Sequence, residues 1–290
     1  VILLYSEYGV ACKNASLENY NTYKIKCICN YLITVNNVVK LTNLIKYLED
    51  NKVKYLIIGN GSNLILPDTF HGVVIKLNFK EITYNKNLVH VGSSVLLNKL
   101  SFDIINNNLS GLEWASGIPG TVGGSIINNA GAYNDEIMNY VESIEVLENN
   151  KVKIMKKNEI DYSYRHTSLK VRNLVILKAN LRLLPGDKSK SLDLIKERSE
   201  KRNNTQPLEY PSAGSVFKNP EGLSAGKLID DLNLKGYKIG GAMVSEKHAN
   251  FIINYNNASS KDIKELIKYV HDKVLENNNI DLELEQQIID

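Results

Sequence analysis

The sequence predicts a protein of mixed helices and strands, in two or three domains, organised around one glycine-rich stretch. Three observations predict it. The length of 290 residues exceeds that of one ordinary domain. Apolar residues recur with helical spacing in some segments and alternate in others. Five glycines fall between Ser116 and Tyr133, among small hydroxyl and amide side chains.

The elements follow in order. Residues 1–21 are polar and expected to be irregular, and a strand is expected at 31–35. Val38, Leu41, Leu44, Ile45 and Leu48 mark a helix that Asn36 or Asn37 would cap. A short buried strand at 54–58 runs into Gly59-Asn60-Gly61-Ser62-Asn63-Leu64, and another follows at 73–77, with His71 in a surface turn before it. A strand at 88–92 precedes a helix marked by Leu96, Leu97, Leu100 and Ile104, and then Trp114, expected in the core or against a ligand. Residues 141–147 and 152–155 suit a hairpin across Asn149-Asn150. A long alternating strand, 174–184, closes on Pro185-Gly186, and the charged stretch 187–204 reads as a solvated linking helix. A helix at 225–232, a strand at 252–254 and an amphipathic helix over Ile263–Val274, capped by Ser259 and Asp262, follow. Strict alternation at 280–288 predicts a closing strand, with Leu282 and Leu284 on one face and Glu283 and Glu285 on the other.

Composition excludes several classes. The chain is 43% hydrophobic and 23% charged, an ordinary globular mix, and a net charge of +3 is too mild for nucleic acid or an anionic membrane. Small anionic ligands need only local charge. Cys12, Cys27 and Cys29 make no disulfide framework, and no histidine cluster completes a zinc site, so a reducing cytoplasm is expected. Val1–Leu4 is too short for a signal segment, and no apolar run reaches the ~18 residues of a membrane span. The abundance of Asn, Lys, Ile and Tyr reads as composition bias with little chemistry.

The glycine stretch carries the chemistry. Successive backbone N–H groups in such a loop form a nest suited to a pyrophosphate. Pro119 stiffens it, and it holds no Lys or Arg, so backbone dipoles would do the binding. A glycine-rich turn without a ligand explains the composition equally well. The Gly-Lys-Ser/Thr end of a nucleoside-triphosphate loop is missing. A dinucleotide fingerprint needs a strand just before it, and 111–115 is a poor one. The 59–64 run suits a phosphate or ribose, or a plain β-turn. Arg165 offers a planar fork for a carboxylate or phosphate, or a surface salt bridge. Ser215 follows Gly214, but Phe217 breaks the Gly-x-Ser-x-Gly elbow, which disfavours a hydrolase.

Gly117-Ile118-Pro119-Gly120-Thr121-Val122-Gly123-Gly124, followed by Asn129-Ala130-Gly131-Ala132-Tyr133, closely resembles the UDP-N-acetylenolpyruvoylglucosamine reductase family, flavoenzymes of bacterial cell-wall synthesis. The resemblance runs from Asn21 to Glu285 and is strongest at 116–133, 210–220 and 225–254. It implies an α+β fold: a two-lobed FAD-binding module of the vanillyl-alcohol-oxidase/PCMH type over 1–185, with lobes of about 1–80 and 81–185. A helical linker over 186–204 and a small α/β substrate-binding domain over 205–290, closing over the isoalloxazine, complete it. It implies non-covalent FAD held by Gly59, Asn60, Gly61, Ser62, Asn63 and Leu64, and by Ser116, Gly117, Ile118, Pro119, Gly120, Thr121, Gly123, Gly124, Ser125, Asn129, Gly131 and Ala132.

The resemblance also implies a reaction. NADPH reduces the flavin and leaves, and UDP-N-acetylglucosamine enolpyruvate then takes the hydride and becomes UDP-N-acetylmuramate. Arg165 stabilises the charge developing on the substrate carboxylate, Glu285 assists, and Ser215 gives the proton. Lys218 and Asn219 match substrate-contacting positions, while His166, His248 and Asn250 read as scaffold. Glu283 is the alternative to Glu285, because Gln286 and Gln287 stand where the pattern has an apolar and a basic residue. Lys26-Cys27-Ile28-Cys29 replaces the family's Gly-Gly pair, which implies a shifted backbone or weaker flavin binding. No inserted loop separates Arg165 from Ser215, which matches the shorter class of the family. Another FAD oxidoreductase on the same module is one alternative, opposed by the Ser215–Asn219 run. A UDP-sugar binder without turnover is the other, and a colourless protein would favour it.

Overall fold

The computed structural model describes residues 5–290; the apolar run Val1–Leu4 lies outside them. The chain divides into two compact units. Of the described residues, one comprises 5–14, 30–60 and 72–199, and the other 15–29, 61–71 and 200–290. The division at 199/200 falls inside the charged helix, and two short N-terminal segments group with the C-terminal part.

The first unit has two cores. Helix α1, Val38–Asp50, starts where Asn37 Oδ1 accepts from Lys40 N at 3.0 Å, and it buries Leu41, Leu44, Ile45 and Leu48. Such a cap is worth about 1 kcal/mol. These side chains pack with Ile33, Val35, Val73, Ile75 and Leu77, from strands Ile28–Val35 and Thr69–Leu77 of a sheet ordered 10–16, 28–35, 69–77, 55–58. The expectation of an irregular start is corrected here, since Val10–Ser16 is an edge strand. His71 likewise lies within the strand Thr69–Leu77, not in a turn.

The second core lies on an antiparallel five-stranded sheet ordered 151–156, 141–148, 174–182, 88–92, 82–85. Asn149 and Asn150 both take positive φ, +51° and +59°, the geometry that lets a two-residue turn follow the strand twist. Helix α2, Leu97–Asn106, and Trp114 pack into this core. So does α3, Val122–Ile127, through Val122 and Ile126. Part of the expected loop is therefore a helix, begun by Thr121 Oγ1 accepting from Gly124 N at 3.3 Å. Helix α4, Lys188–Thr205, is mostly solvated. Buried Glu113 accepts from Ser191 Oγ of α4 at 2.6 Å and from Gly111 N at 2.8 Å, which fixes the approach to the glycine stretch.

The second unit packs α5, Ala225–Asp231, and α6, Ser260–Asn278, with a small sheet ordered 238–239, 242–244, 252–254. Ser259 and Asp262 form a reciprocal capping box at the start of α6, and Asn279 ends it at φ +54°. Ile263, Leu266, Ile267, Val270 and Val274 face the core. The expected closing strand is replaced by two short pairings. Leu284 bridges Phe217, and Gln287–Ile288 pairs in parallel with Leu64–Ile65. Gln286 continues the inward side of Leu282 and Leu284 with a polar side chain that is buried.

Candidate active site

In the first unit, the end of strand Tyr55–Ile58 meets the glycine stretch. Asn60 Nδ2 donates to Pro119 O at 2.7 Å. A Cβ on Gly59 would lie 2.6 Å from Thr121 Oγ1, so only glycine permits this approach. Lys76 donates to the Gly59 carbonyl. Burial, with the charge of Lys80 nearby, lowers its pKa. The glycine stretch has no cation of its own, and nothing in the sequence near Lys76 marks the position it reaches.

Four successive amides of the glycine stretch are bonded within the protein. Val122 N, Gly123 N, Gly124 N and Ser125 N donate to Val95 O, Ser93 O, Thr121 Oγ1 and Thr121 O. The backbone N–H groups of Asn60, Gly117, Gly120 and Thr121 instead make no hydrogen bond among the described residues. The hydroxyl of buried Ser125 is likewise without a partner among them.

The far end of the stretch holds Arg165. Tyr164 and Arg165 are the two turn residues between Tyr162–Ser163 and His166–Thr167. Arg165 takes φ +56°, a left-handed conformation that an L-residue holds at a cost of about 1–2 kcal/mol. Its Nη2 donates to Gly131 O at 2.6 Å, and its guanidinium lies over the Tyr164 ring at 4.9 Å. Buried Asn129 donates from Nδ2 to Ser163 O at 2.8 Å and accepts from Met138 N at 3.4 Å. Thr167 Oγ1 donates to Ile127 O at 2.6 Å. Three side-chain hydrogen bonds thus join the Arg165 turn to 127–131. Trp114 belongs to the core.

In the second unit, the Ser215 run lies beside the last segment of the chain. Glu285 N donates to Val216 O at 2.8 Å, and Lys218 N to Glu283 O at 2.8 Å. Asn250 clamps the run by accepting from Phe217 N at 3.0 Å and donating to Phe217 O at 2.8 Å, while its own carbonyl accepts from Val216 N at 2.9 Å. His248 orders the neighbouring loop, its Nδ1 accepting from Asn250 N at 3.2 Å. Burial lowers its pKa, which favours the neutral ring this bond requires. Asn63 Nδ2 donates to Glu285 O at 3.1 Å, and Asn63 O accepts from Gln287 N at 2.9 Å. Gly61 takes φ +63° against the Tyr20 carbonyl, and Ser62 N makes no hydrogen bond among the described residues.

Lys218 is largely buried, at 15% side-chain exposure, and pairs with Glu283, whose side chain is 70% exposed. Glu283 is thus engaged as a partner of Lys218. Asn219 Oδ1 accepts from Ala225 N at 3.0 Å at the start of α5, which leaves its amide N–H group for other partners. Gln286 and Tyr23, neither of them an expected site residue, form a buried link to the turn before Ser215.

The Lys26–Cys29 departure is accommodated locally. Residues 21–29 alternate strictly, with Tyr23, Ile25, Cys27 and Cys29 buried, and no residue of 26–29 takes a positive φ. The backbone there does not require glycine. Among the described residues, no helix is long and apolar enough to cross a membrane, and no cluster of potential metal ligands occurs.

Comparison with known proteins gives the family. The C-terminal domain of UDP-N-acetylenolpyruvoylglucosamine reductase matches residues 206–289, and an FAD binding domain matches 30–152. The UDP-N-acetylenolpyruvoylglucosamine reductase of Clostridium tetani is 42% identical over 279 residues, 95% of this chain and 91% of that one. That of Clostridium beijerinckii is 40% identical over 280 residues, again 95% and 91%. The crystal structure of the Thermus caldophilus enzyme superposes with a TM-score of 0.82 at 33% identity, covering 97% of this chain and 98% of that one. On fold, domain content and identity over nearly its whole length, the chain belongs to the UDP-N-acetylenolpyruvoylglucosamine reductase family.

Proposed function

We propose that this protein reduces UDP-N-acetylglucosamine enolpyruvate to UDP-N-acetylmuramate in the cytoplasm, using NADPH and non-covalently bound FAD. The observation that carries the reading is the cradle around Pro119. Asn60 and Pro119 join two glycine-containing segments, on which the backbone N–H groups of Asn60, Gly117, Gly120 and Thr121 and the buried Ser125 hydroxyl make no hydrogen bond among the described residues. Such donors fit a pyrophosphate oxygen surface, and a group of that chemistry satisfies them. FAD held there, its pyrophosphate on the amides of Asn60, Gly117, Gly120 and Thr121, would supply the hydride chemistry between NADPH and the terminal carbon of the enolpyruvyl group.

The chain's own residues supply the remaining chemistry. Hydride arrival at that carbon puts negative charge on the carbon next to the carboxylate. Arg165, already committed to a strained turn, offers a preorganised guanidinium for the charge as it spreads onto the carboxylate. Ser215, whose hydroxyl has no partner among the described residues, gives a proton to the adjacent carbon. Glu285 hydrogen-bonds to the same developing charge when protonated. Lys218 and the Asn219 amide hold the phosphates or the sugar of the nucleotide. Ser62, Asn63 and Leu64 line the second cofactor loop.

Product identity tests the reading. Incubation with NADPH and the enolpyruvyl sugar nucleotide should yield, by mass spectrometry, a product heavier by two hydrogens and carrying a lactyl ether. Ser215→Ala should lower its formation roughly 100-fold or more while flavin content is kept. Consumption of NADPH with no change in the sugar nucleotide would refute the assignment.

A further inference from the structure

Gln286 is 3% exposed, a polar side chain on the inward side that Leu282 and Leu284 occupy before it. A buried amide must find partners for both its ends. Its Nε2 donates to Gly214 O at 3.1 Å and to Ala213 O at 3.3 Å. Its Oε1 accepts from Tyr23 OH at 2.9 Å. The chemistry of the partners fixes the amide orientation. Carbonyl oxygens only accept, so the nitrogen must face them, and the tyrosine hydroxyl then donates to the oxygen. Tyr23 is fully buried, and burial pushes its hydroxyl pKa up, so it stays a neutral donor. Asn254 Nδ2 donates to Tyr23 O at 2.8 Å and ties that residue to the small sheet.

The carbonyls held by Gln286 are the two that precede Ser215. Gly214 takes φ +77° and has nothing within 4 Å of where a Cβ would be, so no packing of its own fixes the turn. The Gly214 carbonyl belongs to the same peptide unit as Ser215 N. Fixing that oxygen therefore fixes the plane from which the serine side chain springs. Gln286 also follows Glu285 directly, and Glu285 N bonds Val216 O, on the other side of Ser215. One side chain thus joins the backbone that carries the carboxylate to the backbone that carries the hydroxyl. An apolar side chain of the same size would fill the space and leave two carbonyls and a tyrosine hydroxyl buried without partners.

We infer that Gln286 is a positioning residue that, locked by Tyr23, holds the Gly214–Ser215 peptide in register with Glu285 for the protonation step. The inference rests on the reading of Ser215 as the proton donor. It acts on the half of the reaction in which the enolpyruvyl substrate is consumed, and not on reduction of the flavin by NADPH.

The test uses the FAD-loaded protein under anaerobic rapid mixing, with Gln286→Met and Tyr23→Phe. In both variants the flavin should bleach with NADPH at the wild-type rate. Reoxidation by the enolpyruvyl sugar nucleotide should slow roughly 10- to 100-fold in Gln286→Met, with half-saturation changed less than about threefold. Tyr23→Phe keeps the glutamine and should show the same split at about 3- to 10-fold, which keeps the inference testable should Gln286→Met fail to fold. Hydrogen exchange on the cofactor-free proteins gives a readout independent of turnover, in which peptides covering 213–216 should exchange faster in either variant. Variants that reoxidise like the wild type, or that lose both half-reactions equally, would overturn the role of Gln286. A wild type that bleaches but ignores the sugar nucleotide would instead overturn the functional reading, and this role with it.

Discussion

Arg165 stands at φ +56° in a two-residue turn, a conformation suited to glycine, which makes the comparison of Arg165→Gly with Arg165→Ala informative. Both variants lose the bond to Gly131 O and the contact with the Tyr164 ring, so those losses cancel in the comparison. Alanine must still hold the left-handed conformation, at about 1–2 kcal/mol, while glycine holds it without strain. Glycine in turn has a more flexible unfolded chain, worth about 0.4–1 kcal/mol against it. The balance favours Arg165→Gly by about 0.5–1 kcal/mol, the reverse of the usual preference for alanine. Thermal melts of the two purified variants should therefore differ by roughly 2 °C, with glycine higher. Turnover of the enolpyruvyl substrate should be equally low in both. An alanine variant as stable as the glycine variant would refute the claim that this position stores strain. A turnover matching the wild type in either would refute a role for the guanidinium.

Glu285→Gln should lower substrate-dependent flavin reoxidation at least ~10-fold, while Glu283→Gln, which only frees Lys218, should change it less than about threefold; equal effects in rapid mixing would contradict the choice of Glu285. His271 bonds Asp281 at 2.8 Å and Asp272 at 3.1 Å, and these carboxylates raise its pKa above the ordinary histidine value. The stabilisation is therefore complete below the unfolded-state value of about 6.5 and is lost as pH rises through the folded-state value, so the cost of His271→Gln in urea titrations should be larger near about pH 5.5 than near about pH 8.5. In thiol labelling, exposed Cys12 should react in the native protein, whereas Cys27, with its pKa pushed up to about 11 mainly by burial, and buried Cys29 should react only after denaturation.

Much of the fold was legible wherever local chemistry decides it. Asn37 and Ser259 cap the helices they precede, and the turn at Asn149-Asn150 takes the two positive φ values its hairpin needs. The asparagines are more than composition bias. Nine of the fourteen non-glycine residues at positive φ among the described residues are Asn, whose short amide tolerates that conformation. Local signals misled where tertiary contacts dominate. Val10–Ser16 is largely exposed and lacks an apolar face, so it read as irregular. Helix α3 carries Gly123-Gly124, which reads as loop, and forms because Thr121 caps it and Gly123 lies against Ser93. The apolar and acidic alternation at 280–285 suggested a strand, but the backbone there follows the Ser215 run through single bonds.

The candidate site was legible in part. Glycine spacing pointed to the cradle, yet it could not say which amides remain unpaired, because partners such as Ser93 and Val95 come from elsewhere in the chain. Lys76 reaches the Gly59 carbonyl from 17 residues away, with no local mark. The link between Tyr23 and Gln286 spans 263 residues, and the sequence showed only two polar residues where an apolar and a basic one were expected. The missing Gly-Gly pair at Lys26–Cys29 implies a shifted backbone or weaker flavin binding. No residue of 26–29 takes a positive φ, and Cys27 and Cys29 are buried between exposed neighbours, so the backbone there places no demand for glycine.

Flavin-mediated reduction of the enolpyruvyl sugar nucleotide can be followed in a single anaerobic absorbance experiment on the purified, FAD-loaded protein. NADPH is added first, and the enolpyruvyl sugar nucleotide second, in the same cuvette. The flavin band should bleach on the first addition and return on the second. A band that bleaches and stays bleached after the second addition, or a protein that takes up no FAD at all, would contradict the reductase reading.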